Sequence, residues 1–186
     1  MTKIVKRHGV FKNRPRLRGA YMLVLHHTAG GTLSGAVSTL KKRGLGYHYL
    51  VDKDGTIYEY VPPHRRCSHA YRANTGTVGA SFVGGGRFGE CNDKQLEAFI
   101  FLGRFLKQKH GLTHVSGHKH VDSRGWKIDP RFAGEPANGV NWNADAAMMQ
   151  HIASETGLKF LSRKHIFKKK AFSGAEKYYV EDIDDK

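Results

Sequence analysis

Cysteine is scarce in this chain, and the two that are present, Cys67 and Cys91, form no C-x-x-C pair. That pattern excludes a disulfide framework and a thiolate zinc finger, and it points to free thiols in a reducing compartment. Long apolar runs are missing as well. The longest falls far short of the roughly 20 residues that cross a bilayer, so no transmembrane helix is expected. The first twenty residues contain no acid and carry seven Lys or Arg. They lack the apolar segment of a secretory signal and read as a basic arm rather than an export peptide. No internal repeat is present.

What remains is the composition of one globular domain. A chain of 186 residues with 39% hydrophobic content can bury a core without staples, and its 22 glycines suit a loop-rich enzyme. The net charge of +15 calls for a polyanion, which nucleic acid, an anionic membrane or an anionic cell-wall polymer would each provide. Charge alone does not choose among them.

The chain is organised around Tyr21 to Gly30, Y-M-L-V-L-H-H-T-A-G. A short apolar run closed by glycine predicts a central strand buried on both faces, with His26 and His27 where it leaves the core. Neighbours on a strand point to opposite faces, so only one of the two histidines can face a given site. Thr32 or Ser34 caps a helix running to about Arg43. Asp54-Gly55 marks a hairpin within Gly46 to Val61, with Tyr47, Tyr49 and Val51 on one face and His48 and Leu50 on the other. Val78 to Val83 reads as a strand. Asn92 caps a helix of about seventeen residues that Gly111 stops, with Leu96, Phe99, Ile100, Gly103 and Leu106 as its buried stripe. Thr113 to Ser116 is a short strand, and Asn143 caps a last helix to about Thr156. The expected fold is mixed α/β, a single central mixed β-sheet flanked by helices. Its parts are an arm (1–20), a catalytic domain (21–157) and a tail (158–186), basic at first and then acidic.

Three pieces carry chemistry: His26 at one strand end, His118 at another, and Lys127-Ile128-Asp129 beyond it. Two neutral imidazoles and a carboxylate are a ligand set for catalytic zinc that leaves a position for water. A water so bound is activated to attack an amide near neutral pH.

At this point the sequence resembles a family. L-V-L-H-H-T-A, G-Y-H-Y-L-V-D-K-D-G-T, S-H-A, V-G-A-S-F-V-G-G, G-H-K-H-V and K-I-D-P occur in order over residues 21 to 131. They are similar to the motifs of the type-2 N-acetylmuramoyl-L-alanine amidases, which include phage endolysins, muropeptide-recycling amidases and peptidoglycan recognition proteins. The phage lysozyme branch is the most similar. The resemblance implies one zinc ion held by His26, His118 and Asp129, with Tyr47 and Lys127 as the active-site tyrosine and lysine. His69, in S-H-A, is a candidate substrate contact, as are His27 and Thr28 beside the first ligand. The chain departs from the family where His120 replaces a frequent Asp and where Arg131 follows Asp-Pro in place of Gly. The span from His118 to Asp129 is also about a residue long, which leaves His120 and Asp122 as competing third ligands.

The function implied is a zinc-dependent peptidoglycan amidase. It would be a phage endolysin, made in the host cytoplasm and reaching the wall when a holin opens the membrane. Peptidoglycan is the expected partner, with an anionic membrane as a second contact for the basic stretch Lys159 to Lys170. No obligate nucleic acid is expected, and the chain is expected to be a monomer. The alternatives are a cytosolic recycling amidase and a non-catalytic binder of peptidoglycan or of a polymerase.

Overall fold

The computed structural model describes residues 3–12, 15–16, 19–122, 130 and 142–161, the last stretch by its backbone alone up to residue 146. Among the described residues, seven strands form one mixed sheet. They are β1 (Ile4–Lys6), β2 (Met22–His27), β3 (Tyr49–Val51), β4 (Ile57–Glu59), β5 (Thr77–Phe82), β6 (His114–Gly117) and β7 (Lys159–Phe160). Their order across the sheet is β1-β4-β3-β5-β2-β6-β7. The β3–β4 hairpin is antiparallel and every other pair is parallel. The mixed sheet flanked by helices is thus the fold that the hydrophobic pattern predicts.

The helices among the described residues that cover it are α1 (Leu33–Lys42), α2 (Asp93–His110), the single turn α3 (His118–Val121) and α4 (Trp142–Thr156). Leu23, Leu25, Val78, Ala80 and Phe82 pack against Phe99, Leu102 and Leu106 of α2 and Met149 and Ile152 of α4. The opposite face of the sheet carries two smaller clusters. One joins Leu50 and Tyr60 to Leu33, Val37 and Leu40 of α1. The other joins Met22 and Val24 to Ala70, Ala73 and Val121.

Local chemistry sets the ends of α1 and α2 as predicted, whereas α4 begins at Trp142, so that Asn143, expected as its cap, lies inside the helix. The Thr32 hydroxyl accepts from the Gly35 amide at 3.2 Å at the start of α1. Asn92 and Gln95 form a reciprocal capping box on α2. Gly111 ends α2 at φ 69°, a left-handed conformation that glycine reaches without a Cβ penalty. The buried stripe of α2 runs through Gln95, Ala98, Phe99, Leu102, Gly103 and Leu106, while Leu96 and Ile100 are only half-buried. The helix is rotated because the Gln95 amide reaches inward and donates to the carbonyls of Val83 (3.0 Å) and Val51 (3.4 Å) at two strand ends. Unpaired buried carbonyls are costly, so this polar contact outweighs the apolar pattern. Gly103 lies where a Cβ would sit 2.6 Å from Thr156 Cγ2, so its smallness lets α2 approach α4.

Two expectations need correction. Part of the supposed arm belongs to the fold. Ile4–Lys6 pairs with β4, and Phe11 is buried with its ring 5.1 Å from that of Tyr60. The apolar residues between the basic ones, Ile4, Val10 and Phe11, find partners in the core and draw the segment in. Similarly, Leu158 is buried and Lys159–Phe160 adds a strand beside β6, within the stretch expected as tail. The second correction concerns Tyr47. It shares a cluster with Leu50, and not the face of Tyr49 and Val51. The chain bends at His48, before β3 begins, so Tyr47 lies outside the strand's alternation. Across from it, Tyr60 N (2.8 Å) and Val61 N (3.3 Å) both donate to the His48 carbonyl, a bulge that puts those two neighbours in the same cluster.

His48 fastens that bend. Its Nδ1 accepts from the Gly79 amide (2.9 Å), and its Nε2–H donates to the Arg65 carbonyl (2.8 Å). Burial pushes its pKa from 6.5 to about 4, against the opposing pull of the Arg65 carbonyl. The unfolded chain therefore binds the proton first. The stability that His48 contributes is complete above about pH 6.5 and is lost as the pH falls toward 4, on the order of 3 kcal/mol for the full shift. Urea titrations across that window are expected to give a steep loss of stability for the parent protein and a shallower one for His48→Gln.

Candidate functional site

The site lies at the carboxyl ends of β2 and β6, on the sheet face away from α2 and α4. Alternation along β2 sends Leu23 and Leu25 to the main core and Met22 and Val24 to the other face. His26 follows the second set and is fully buried. Strand β6 runs parallel to β2 and ends at Gly117, so His118 emerges beside it as the first residue of α3. The two imidazole centroids are 4.4 Å apart. Tyr47, carried inward by the bend at His48, lies 4.8 Å from the His26 ring, and His69 lies 5.2 Å from it.

The hydrogen bonds assign protons along this cluster. The Thr77 hydroxyl donates to the Ala73 carbonyl, so toward His69 Nε2, 3.1 Å away, it acts as acceptor. His69 is then protonated at Nε2 and has its lone pair at Nδ1. That lone pair accepts from His26 Nε2–H at 3.0 Å. His26 in turn keeps its own lone pair at Nδ1. His69 stays neutral because burial, and then the nearby imidazoles of His26, His48 and His118, hold its pKa well below the usual value. Gly79 makes room for this arrangement, since a Cβ there would overlap the His69 ring. Asn74 Oδ1 accepts from the amides of His69 (2.8 Å) and Ala70 (2.9 Å) and fixes the loop that carries His69.

His27 departs from its expected place. It points to the opposite face of the sheet, with its ring 6.0 Å from that of Phe82 and packed against Gly85. The reason is the alternation that selects His26. Thr28 stays near the site but ties two loops together, its hydroxyl accepting from the amides of Gly30 and Gly84 at 3.2 Å each. The H-x-H pair is divided as well. His118 faces His26, whereas the ring of His120 meets Phe160 edge-on at 5.2 Å. Asp122, fully buried, brings Oδ2 to 3.4 Å from His118 Nε2.

Lys127 and Asp129 lie outside the described residues. Pro130, next in the chain, is buried against Gly117, the residue before His118. Among the described residues no group of three His, Cys, Asp or Glu is gathered closely enough to hold a metal ion. The donors present nevertheless suit zinc. Two buried imidazoles stand in ring contact, and the orienting partner of one leaves it a lone pair for a metal.

One residue at the site is absent from the sequence candidates, although a motif contains it. Ser81 is the register partner of His26 on β5, fully buried, and its hydroxyl has no hydrogen-bond partner among the described residues. An unsatisfied buried hydroxyl is costly and concentrates at functional sites. Within V-G-A-S-F-V-G-G, strand register is the signal that points it to the site, since Ser81 alternates with the core residues Ala80 and Phe82.

A family model described as N-acetylmuramoyl-L-alanine amidase matches residues 17–132. The amidase LysC from Clostridium intestinale URNW superposes with a TM-score of 0.59 at 26% identity, over 84% of this chain and 99% of that one. The endolysin amidase LysCS from the same source gives 0.61 at 26% identity, over 84% and 97%. Peptidoglycan-recognition protein SD of Drosophila melanogaster is 32% identical over 117 residues, which is 54% of this chain and 63% of that protein. The match thus spans less than two thirds of the recognition protein's length. Because the family's pattern takes in the strands, loops and histidines just described, the chain belongs to the N-acetylmuramoyl-L-alanine amidase family.

Proposed function

We propose that the protein hydrolyses the amide bond between N-acetylmuramic acid and L-alanine in peptidoglycan, with one zinc ion held by His26, His118 and Asp129. The observation that carries this reading is the convergence of His26, His118, Tyr47 and His69 in one buried cluster at the ends of parallel strands. When bound there, zinc supplies a Lewis acid that polarises the amide carbonyl and activates water. The chain's own residues do the rest. His69 holds the His26 ring in one tautomer, so the metal-binding lone pair is aimed before the ion arrives. Tyr47 offers its hydroxyl to the attacked carbonyl or to the water and relays a proton toward the leaving amine. The Lys127 ammonium stabilises the developing oxyanion. Asp122, beside His118, steadies the second ligand. The buried surroundings strengthen each of these charge interactions.

In biological terms the reading is a phage endolysin, made in the host cytoplasm, passing to the wall through a holin-opened membrane and lysing the cell. Likeness to a solved amidase titled as an endolysin supports it. Similarity to a peptidoglycan-recognition protein supports a second reading, a binder of the same polymer that does not cut it.

Digestion of purified sacculi separates the two. The expected outcome is release of stem peptides with a free L-alanine amine, abolished by a chelator and restored by zinc. Release of reducing sugar ends would overturn the amide mechanism, and binding without release would establish the recognition reading. Tyr47→Phe and Lys127→Ala are each expected to lower kcat about 10²–10³-fold with little change in KM, read from initial rates. His69→Ala is expected to weaken zinc binding about 10–100-fold in calorimetric titration, because His26 loses its orienting acceptor.

A further inference from the structure

The described charges are divided by the sheet. No Asp or Glu occurs between residues 1 and 51 or between 60 and 89. Those stretches supply α1, the strand carrying His26 and the loop carrying His69. Backbone contacts gather their basic residues around the α1 side of the sheet. Arg16 bridges to Arg65, and Arg66 N donates to the Pro15 carbonyl at 3.0 Å. Arg7 stacks over Tyr58 at 6.0 Å, within the cluster that also holds Leu40 of α1. Lys41, Lys42 and Arg43 are exposed at the end of α1, next to the segment where Gly46 N donates to the Ser68 carbonyl. Asp122, beside His118 on this face, is fully buried. Glu59, opposite Tyr49 on β3, is buried on the side of the α2 cluster, with one carboxylate oxygen on His8 (2.6 Å) and the other accepting from Tyr49 (2.9 Å). Glu90, Asp93, Glu97 and Glu155 lie on the segments of the α2–α4 side.

The same cluster contains Tyr47, which touches the His26 ring. The cationic face is therefore continuous with the rim of the site. A small soluble fragment would reach only that rim, whereas a polymer bearing repeated carboxylates would lie across the whole face. We propose that this face is an extended docking surface for the carboxylate-bearing peptides of intact peptidoglycan, so that the protein selects polymeric wall over soluble fragments. The inference rests on the peptidoglycan reading above, though not on catalysis. Charges spread over one face raise local concentration and association rate, and salt screens the effect.

The test is co-sedimentation of the full-length protein with sacculi stripped of covalently attached phosphate polymers. Three proteins are compared: the parent, a face variant (Lys41→Gln, Lys42→Gln, Arg65→Gln) and a control of equal net charge on the other side (Lys53→Gln, Lys94→Gln, Lys109→Gln). Thermal melts verify that all three are folded. The face variant is expected to bind about tenfold more weakly than the parent at 50 mM salt, and less than about twofold more weakly at 500 mM. The control is expected to stay within about twofold throughout. Equal losses in both variants, or none in either, would overturn the proposal. So would binding by the parent only to walls that keep their phosphate polymers, or stronger, face-dependent binding to duplex DNA. Because the readout is binding, a protein that cuts nothing still decides the question. Failure of the amidase reading would show separately, as sacculi bound through the face with no amine released.

Discussion

Side-chain alternation along β2 determines which chemistry this sheet can hold. Two histidines in succession cannot serve one site on a strand, and the strand's neighbours decide which of them does. Leu23 and Leu25 are claimed by the face that packs on α2 and α4, so His26 turns to the other face and His27 to theirs. The parallel pairing of β2 with β6 then brings His118 to the same end of the sheet. Had β6 run antiparallel, Gly117 and His118 would emerge at the opposite edge. The bend at His48 completes the set by turning Tyr47 toward His26.

A cluster of imidazoles in a buried place is stable only if most of them are uncharged. Burial lowers the affinity of His48 and His69 for a second proton, and around His69 each neighbouring imidazole adds to the effect. Neutrality is also what the proposed zinc site requires. A neutral imidazole has one lone pair to give, and the direction in which it is given depends on which nitrogen keeps the proton. The Ala73–Thr77–His69–His26 chain settles that question from a backbone carbonyl inward. The carbonyl cannot change its role, so the orientation of His26 is anchored in the main chain several bonds away.

Much of this was legible in the sequence. Caps, turns and apolar runs are local, and they placed α1, α2, the hairpin and the three strands that bear the site. The motif histidines His26 and His118 were legible for the same reason, since each follows directly from a buried run. What was not legible depended on partners distant in sequence. The rotation of α2 follows from Gln95 meeting strand-end carbonyls, and the place of Tyr47 follows from the bend at His48, which the Gly79 amide and the Arg65 carbonyl fasten. Neither leaves a trace in periodicity. The first residues read as an arm because charge dominates their composition, yet Ile4, Val10 and Phe11 are enough to hold them on the core. Ser81 lies inside a motif that named no role for it, and its place became visible as the neighbour of His26 in the ladder.

The division of charge follows from the same layered construction. The face that buries the larger apolar cluster is roofed by α2 and α4, and the segments there carry the exposed acids as well as bases. Among the described residues, the face that holds the site is covered by α1, α3, the N-terminal segment and loops, in stretches without exposed acid. A field of one sign over the site's own face orients an approaching polyanion before contact and presents its backbone to the cluster of histidines. Had the same charges been mixed evenly over both faces, attraction would remain but orientation would be lost. The arrangement thus joins two properties that composition alone reports as unrelated, a high net positive charge and a neutral, metal-competent group of histidines.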